Sequence, residues 1–525
     1  MVEQPEQVPR AGPEPLPALV AYLRPYASLF RRPQNRPTWE SVERYVTGLL
    51  TDLPRKNCDT IAAAVAGTTT ERLQHLLTDA DWDPLALDEA RVRDLVAVSP
   101  AGGVLALDDS GLPKQGKASV GVARQYSGTL GKVANCQVVV SAEYVEDTPA
   151  TSTPLHWPVS AQLYLHQTWM GDTDEAVARR TRAHVPHVPH VPTEVSFQTK
   201  PEIALTLIDR ARAWGVPFKH VVADAGYGES PTLLDGLETR QLPYVCGVRR
   251  PFSLRLPDEV QAAALAPPPR YRGKGRPVAP RPAPLWDADT LLACLPDEAW
   301  ELVTWRDGTK ETLRKQFVAV RVHRATGNPE NGRSVAHSRV TTGPEGWLLG
   351  ERPAPGETGE RKWYFCWLPA DTSLARLVTL AHARWVIEQF YEDAKGECGL
   401  DDYQGRRWDG LHRHLALVML TYSFLATQRL SRLRRQRARE QHAPRPTPPA
   451  VAGLSPLGGC TGHAGHTGRT VAGPLATADT ASSAHLPSHP PSRPPLALPR
   501  PRTVDTHHRS RPPLPHSPLS PLLTK

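Results

Sequence analysis

Gly103-Val-Leu-Ala-Leu-Asp108-Asp109-Ser110-Gly111 decides how this 525-residue chain is read. An unbroken apolar run predicts a strand buried on both faces, because a half-exposed strand would alternate. The strand is expected to end at the acidic doublet. That would place two carboxylates at the carboxyl edge of a sheet, where open α/β folds hold their ligands. Adjacent acids oppose each other's ionisation unless a cation neutralises them. The doublet therefore calls for a metal ion and for further ligands elsewhere.

Two other stretches supply candidates. In Phe218-Lys-His-Val-Val-Ala-Asp224-Ala-Gly226-Tyr-Gly228 a second apolar run meets a carboxylate and a glycine-containing turn that admits close approach. Alone, such an Asp reads as a turn or cap residue. Its pairing with the doublet gives it the functional reading. In Leu380-Ala-His-Ala-Arg384-Trp-Val-Ile-Glu388-Gln-Phe-Tyr-Glu392-Asp-Ala-Lys395, a turn of about 100° per residue brings Arg384, Glu388, Glu392 and Lys395 onto one helix face. An anonymous helix of this kind would be a solvated face with an Arg384–Glu388 pair.

Composition narrows the class. Hydrophobic residues make up 40% and charged residues 22%, enough for a large core and two or three domains. The net charge of +8 favours a polyanionic partner. No apolar run approaches the ~20 residues of a membrane span. The N-terminal residues lack the basic-then-apolar pattern of a secretory signal. The seven cysteines form no CxxC pair, which suits a reducing cytosol and excludes a structural zinc module of the usual spacing.

Residues 1–98 read as a helical N-terminal domain, with a helix-turn-helix outline at 59–77 that fits a plain helical hairpin equally well. Residues 99–250 carry strand-like runs at 104–107, 136–144, 162–165, 220–223 and 244–248, and a helix at 202–214. Residues 251–362 are rich in Pro, Gly and Arg and read as a β-rich insertion. Residues 363–440 hold one long helix from about 373 to 395 and a second from about 411 to 437. From 441 to 525 there are 18 prolines and no Phe, Trp or Tyr, a composition expected to be disordered. So sharp a break also fits translation of a shifted reading frame. The triplet repeat His184-Val-Pro-His187-Val-Pro-His190-Val-Pro192 reads as a surface expansion rather than a metal comb.

Taken together, these motifs resemble the bacterial insertion-sequence DDE transposases, in the branch whose last acid sits in a Tyr-x2-Arg-x3-Glu-x6-Lys signature. The resemblance rests on Asp109 before Ser110, on Asp224 after its strand, and on Arg384–x3–Glu388–x6–Lys395. It extends to Asp108-Asp109-Ser-Gly-Leu-Pro-Lys114-Gln-Gly-Lys117, to Ser119-Val-Gly-Val-Ala-Arg124-Gln-Tyr126, and to Leu400-Asp-Asp-Tyr403-Gln-Gly-Arg406-Arg-Trp408. It spans residues 15 to 435. Asp109 and Asp224 stand 115 residues apart, and Asp224 and Glu388 stand 164 apart. The signature tyrosine would fall at position 381, where this chain has Ala381.

The resemblance implies an α/β fold: an RNase H-like catalytic core carrying a β-rich insertion, with the helical domain before it and the disordered tail after it. It implies that Asp109, Asp224 and Glu388 hold two Mg²⁺ ions, with Mn²⁺ an expected substitute. The chemistry would be DNA cleavage followed by strand transfer of an insertion sequence, cut-and-paste. Two divalent cations 3.5–4 Å apart suit phosphodiester displacement, and carboxylates are the hard ligands they take. Asp108 stays open as the rival of Asp109 and Glu392 as that of Glu388. Neighbouring strand residues face opposite sides, so one acid of the doublet is expected to enter the site. Arg384, Lys395, Lys114, Lys117 and Arg124 are the candidate DNA contacts, with Lys132, Arg406, Arg407, Arg413 and the Arg429–Arg439 cluster behind them. Expected partners are double-stranded DNA, at terminal inverted repeats and at the target, and a second copy in the DNA complex. The expected location is the cytoplasm, at the nucleoid. Two other readings stay open: an inactive DNA-binding remnant, and a metal-dependent nuclease without strand transfer.

Overall fold

The computed structural model describes residues 17–30, 38–147, 154–181, 191–267, 281–307, 312–326 and 340–442. Contacts divide the chain into Met1–His442 and Ala443–Lys525. The second unit, which holds the Pro-rich tail, lies outside the described residues, as does most of the His-Val-Pro repeat.

Helices come first: α1 (Pro17–Leu23), α2 (Thr38–Leu50), α3 (Cys58–Ala64), α4 (Thr70–Thr78) and α5 (Pro84–Val96). Their starts are written locally, by side chains that take orphan amides of the first turn. Asn57 accepts from Asp59 and Thr60, Thr69 from Arg72, and Asp83 from Leu85. The sheet begins with β1 (Gly103–Pro113), β2 (Ala123–Ser127), β3 (Lys132–Val145) and β4 (His156–Tyr164). Next are α6 (Gln167–Met170), α7 (Asp174–Thr181), α8 (Lys200–Ala213), β5 (Phe218–Ala223), α9 (Ala225–Gly228), α10 (Pro231–Thr239) and β6 (Tyr244–Val248).

The segment expected as an insertion holds β7 (Ser253–Arg255), α11 (Pro257–Leu265), β8 (Trp286–Asp287), α12 (Ala288–Ala293), β9 (Glu301–Asp307), β10 (Thr312–Thr326), β11 (Thr341–Arg352) and β12 (Lys362–Trp367). The described residues end with α13 (Leu374–Ala383), α14 (Trp385–Cys398) and α15 (Trp408–His442).

Among the described residues the strands form one mixed sheet in the order β2-β3-β1-β5-β6-β12-β11-β10-β7-β8, with β4 on β3 and β9 on β10. Among the described strands only β1–β5 and β5–β6 run parallel. The strands of 253–367 extend this same sheet, because β12 pairs with β6 from Trp363↔Val248 to Trp367↔Tyr244. The fold is therefore mixed α/β around a large mixed sheet.

Two expectations are corrected. Strand β1 does not end at the doublet. Antiparallel pairing with β3 carries it on to Pro113↔Cys136, whereas parallel pairing with β5 stops at Leu107↔Ala223. The acids thus sit inside a strand, at the point where one of its two neighbours ends. The helix expected over 373–395 is two helices meeting at Arg384, which closes α13 and precedes α14. Periodicity alone does not register such a break, since the apolar positions continue across it.

The N-terminal helices are bound to the end of the core rather than set apart from it. Lys56, 4% exposed, donates to the carbonyl oxygens of Leu49 (2.8 Å) and Glu397 (2.5 Å). Tyr45 meets His414 Nδ1 at 2.8 Å, and burial lowers that histidine to about 4. These bonds satisfy polar groups that would otherwise be costly to bury. No helix among the described residues is long and apolar enough to cross a membrane.

Candidate active site

The doublet splits between the two faces of the sheet, as alternation requires. In parallel register Leu107 pairs with Ala223, so Asp108 is the β1 residue abreast of Asp224. Asp108 also faces α14. Its Oδ2 accepts from Arg384 at 2.7 Å, and Arg384 turns its other nitrogen to the Glu388 carboxylate. Asp109 faces α8 instead: Lys200 Nζ lies 2.8 Å from Oδ1, and the Tyr227 hydroxyl donates to Oδ2 at 3.1 Å. The expectation that Asp109 points at Glu388 while Asp108 points away is therefore not the geometry found. The physical reason is register, which no periodicity reveals in a run apolar on both faces.

Asp224 stands at the mouth of α9 and accepts from the amides of Gly226 (2.9 Å) and Tyr227 (3.1 Å). Its turn lies directly on β6: a Cβ added at Gly228 would stand 1.9 Å from the Gly247 carbonyl oxygen. Only glycine permits this approach. Glu388 projects from the first turn of α14, and its side chain is 58% exposed.

The electrostatics tie the group together. Burial raises Asp108 to about 7. Arg384 opposes the rise, and Asp224 and Asp109 add to it. Burial also pulls on Arg384, but Asp108, Glu388 and Asp224 more than offset that pull and its pKa rises. Asp108 and Glu388 thus pair directly with one guanidinium, and Asp224 adds to the negative potential around it. A cavity of about 640 Å³ opens beside them. Asp224, Arg384 and Glu388 line it, with Arg249, Arg250, Arg361 and Lys362 for charge and Trp363, Tyr364 and Trp385 for ring surface. Ala381 is 8% exposed and lines the same cavity.

The remaining predicted contacts are placed unevenly. Lys395 is half-buried, 6.0 Å from the Tyr391 ring, and burial lowers its pKa. Lys114 is tied to the carbonyls of Tyr403 and Asp401, and burial lowers it to about 8, so it serves the packing of the 401–406 segment. Lys117 and Arg124 are exposed, and among the described residues neither bonds to a carboxylate of the site. Glu392 is exposed one turn beyond Glu388. The side chains of Arg434, Arg435, Arg437 and Arg439 lie outside the described residues.

Sequence reasoning missed Lys200, Tyr227, Tyr391 and the cations at 249–250 and 361–362. A signal existed for the tyrosines, each of which stands three residues after a candidate acid. Lys200 carried none, since the first residue of a capped helix has no preferred partner.

Carboxylate oxygens are the hard donors a divalent metal takes, and Asp108, Asp224 and Glu388 supply that chemistry on neighbouring elements. Among the described residues no three His, Cys, Asp or Glu side chains are close enough to hold a metal together. The donor types fit a divalent metal, and in this geometry Asp108 and Glu388 are paired with Arg384 instead.

Residues 25–312, just over half of the chain, match the family described as DDE superfamily endonuclease. The doublet and Asp224 fall within that match and Glu388 beyond it. Over 230 residues the chain is 29% identical to the "Probable transposase for insertion sequence element IS701" of Microchaete diplosiphon, covering 43% of this chain and 53% of the relative. The chain thus spans about half the length of that curated relative. Among solved structures, the C-terminal lobe of a budding yeast Argonaute aligns over 71% of this chain and 62% of its own. Its 9% identity and TM-score of 0.19 carry no argument.

Proposed function

Because this chain belongs to the DDE superfamily endonucleases, we propose that it is a transposase that cuts the ends of an insertion sequence and joins them to target DNA. The observation that supports this reading most is the pairing of Asp108 and Glu388 with Arg384, with Asp224 abreast of Asp108 on the next strand, beside a cavity lined by cations and tryptophans. On this reading the core is RNase H-like, and the three carboxylates hold divalent cations, Mg²⁺ or Mn²⁺. Bound there, such cations would polarise a phosphodiester and lower the pKa of an attacking water. The other steps fall to the chain's own groups. Arg249, Arg250, Arg361 and Lys362 hold the DNA backbone by charge-assisted bonds. Trp363 offers a ring face to bases. Arg384 exchanges its carboxylates for a phosphate as the strand enters. A homodimer would bring two DNA ends together.

A second reading takes Asp109 as the first ligand, since it is the acid directly before Ser110 in the motif. Lys200 and Tyr227 would then hold it ready on the other face. The test is Mn²⁺-dependent cutting and joining of DNA that carries the inverted repeats flanking the gene. Asp108→Asn and Asp109→Asn are compared in that assay, and the more damaging change identifies the ligand. Cutting without joining would support a nuclease. Binding without either would support an inactive remnant. Full joining by Asp224→Asn would refute the site.

A further inference from the structure

Two buried tyrosines stand in the same relation to two of the carboxylates. Tyr227 follows Asp224 by three residues, and Tyr391 follows Glu388 by three. Both reach the doublet. The Tyr227 hydroxyl donates to Asp109 Oδ2 at 3.1 Å. The Tyr391 hydroxyl donates to the Asp108 carbonyl oxygen at 3.1 Å and shares a hydrogen bond with Ser141, which stands opposite Asp108 on β3. Their exposures are 2% and 8%. Burial, reinforced by Asp109 for Tyr227 and by Asp108 for Tyr391, holds both hydroxyls well above their ordinary range. A tyrosine hydroxyl carries its proton at neutral pH, so both act as donors.

A core tyrosine can satisfy its hydroxyl with any nearby carbonyl. These two choose the one strand that carries the acidic doublet. On α14, residues three apart lie on neighbouring turns of one face. A bond from Tyr391 to the Asp108–Ser141 rung therefore sets both the rotation and the height of the helix at Glu388. Around α9, Asp224 caps the Tyr227 amide while the Tyr227 hydroxyl returns to Asp109, so the turn is fastened at both ends. We infer that Tyr227 and Tyr391 are positioning residues that set the spacing of the carboxylates, one by holding the Asp224 turn and the other by holding the Glu388 helix against the doublet-bearing rung of β1. The inference rests on the proposed reading of those carboxylates as the cation-holding site.

The test uses full-length Tyr227→Phe and Tyr391→Phe, with Mn²⁺ binding followed by calorimetry and cleavage followed as a function of Mn²⁺. Each variant keeps the ring and loses the hydroxyl. Loss of one typical hydrogen bond predicts Mn²⁺ binding weaker by about fivefold. The cleavage kcat should fall while DNA affinity holds, and added Mn²⁺ should restore part of the rate. Ser141→Ala should move Mn²⁺ affinity in the same direction by less. Unchanged Mn²⁺ affinity in both Phe variants, with any loss of rate matched by loss of folded protein, would show a structural role and overturn the inference. Asp224→Asn keeps the two levels apart. If it cleaves like the parent, the carboxylate assignment fails and takes the inference with it. If it is inactive while both Phe variants behave like the parent, only the tyrosine inference fails.

Discussion

Gly228→Ala tests how tightly the Asp224 turn is set. The added Cβ would stand 1.9 Å from the Gly247 carbonyl oxygen and 2.9 Å from the Cys246 Cβ. Comfortable contact needs ~3.5 Å, so the backbone must give by roughly 1.5 Å. The closest atom is main chain, with no flexible tip to swing aside. Gly228 ends the helix whose first turn Asp224 caps, so the movement passes directly to that carboxylate. Overpacking of this kind costs about 1–3 kcal/mol. A displacement of ~1 Å at a reacting group can cost about 100-fold in rate. The assay is cleavage rate alongside Tm. Gly396→Ala is the control: it lies within α14, and its added Cβ meets nothing within 4 Å. That change should leave activity intact and stabilise the helix by ~0.5–1 kcal/mol. A Gly228→Ala protein with parental Tm and parental rate would refute the claim that this backbone contact places Asp224.

Asp224→Asn should abolish cleavage while leaving Tm unchanged, because Asn caps a helix as well as Asp does, whereas Asp224→Ala should lose about 1 kcal/mol as well. His220 and His414 are buried, and burial lowers each to about 4. The unfolded chain then binds more protons between about 6.5 and 4, so stability falls as pH drops through that window, by up to ~3 kcal/mol for each histidine. Urea melts at neutral and mildly acidic pH check this, and a midpoint independent of pH would contradict it. Glu351 is fully buried and accepts from Lys315 and from the Tyr364 hydroxyl at 2.8 Å, with His382 Nε2 3.3 Å away. Glu351→Leu should cost about 3–5 kcal/mol by stranding those donors, and a smaller loss in chemical denaturation would show that they find other partners.

Much of the fold was legible locally. Apolar runs marked β1, β5 and β6, and the Thr199–Glu202 capping box marks the start of α8. The extent of β1 was not legible, since pairing with β3 decides it from 23 residues or more down the chain. The junction at Arg384 was likewise silent, because a helix break leaves the apolar period almost undisturbed. Lys114 looked like a phosphate contact because it stands with Lys117, Arg124 and Lys132 in the basic segment after Asp109. The 401–403 carbonyls that claim it are remote in sequence.

The sequence by itself determined the residue types and their local settings: an acidic doublet after an apolar run, an Asp at a capped glycine turn, and Arg384 with Glu388 one helical turn apart. Only the tertiary structure decided which acid of the doublet meets the others. Alternation along a strand says that Asp108 and Asp109 face opposite ways, and nothing within the strand says which way α14 lies. The parallel register with β5 and the packing of α14 through Tyr391 settled that, and they turned Asp108 toward Arg384.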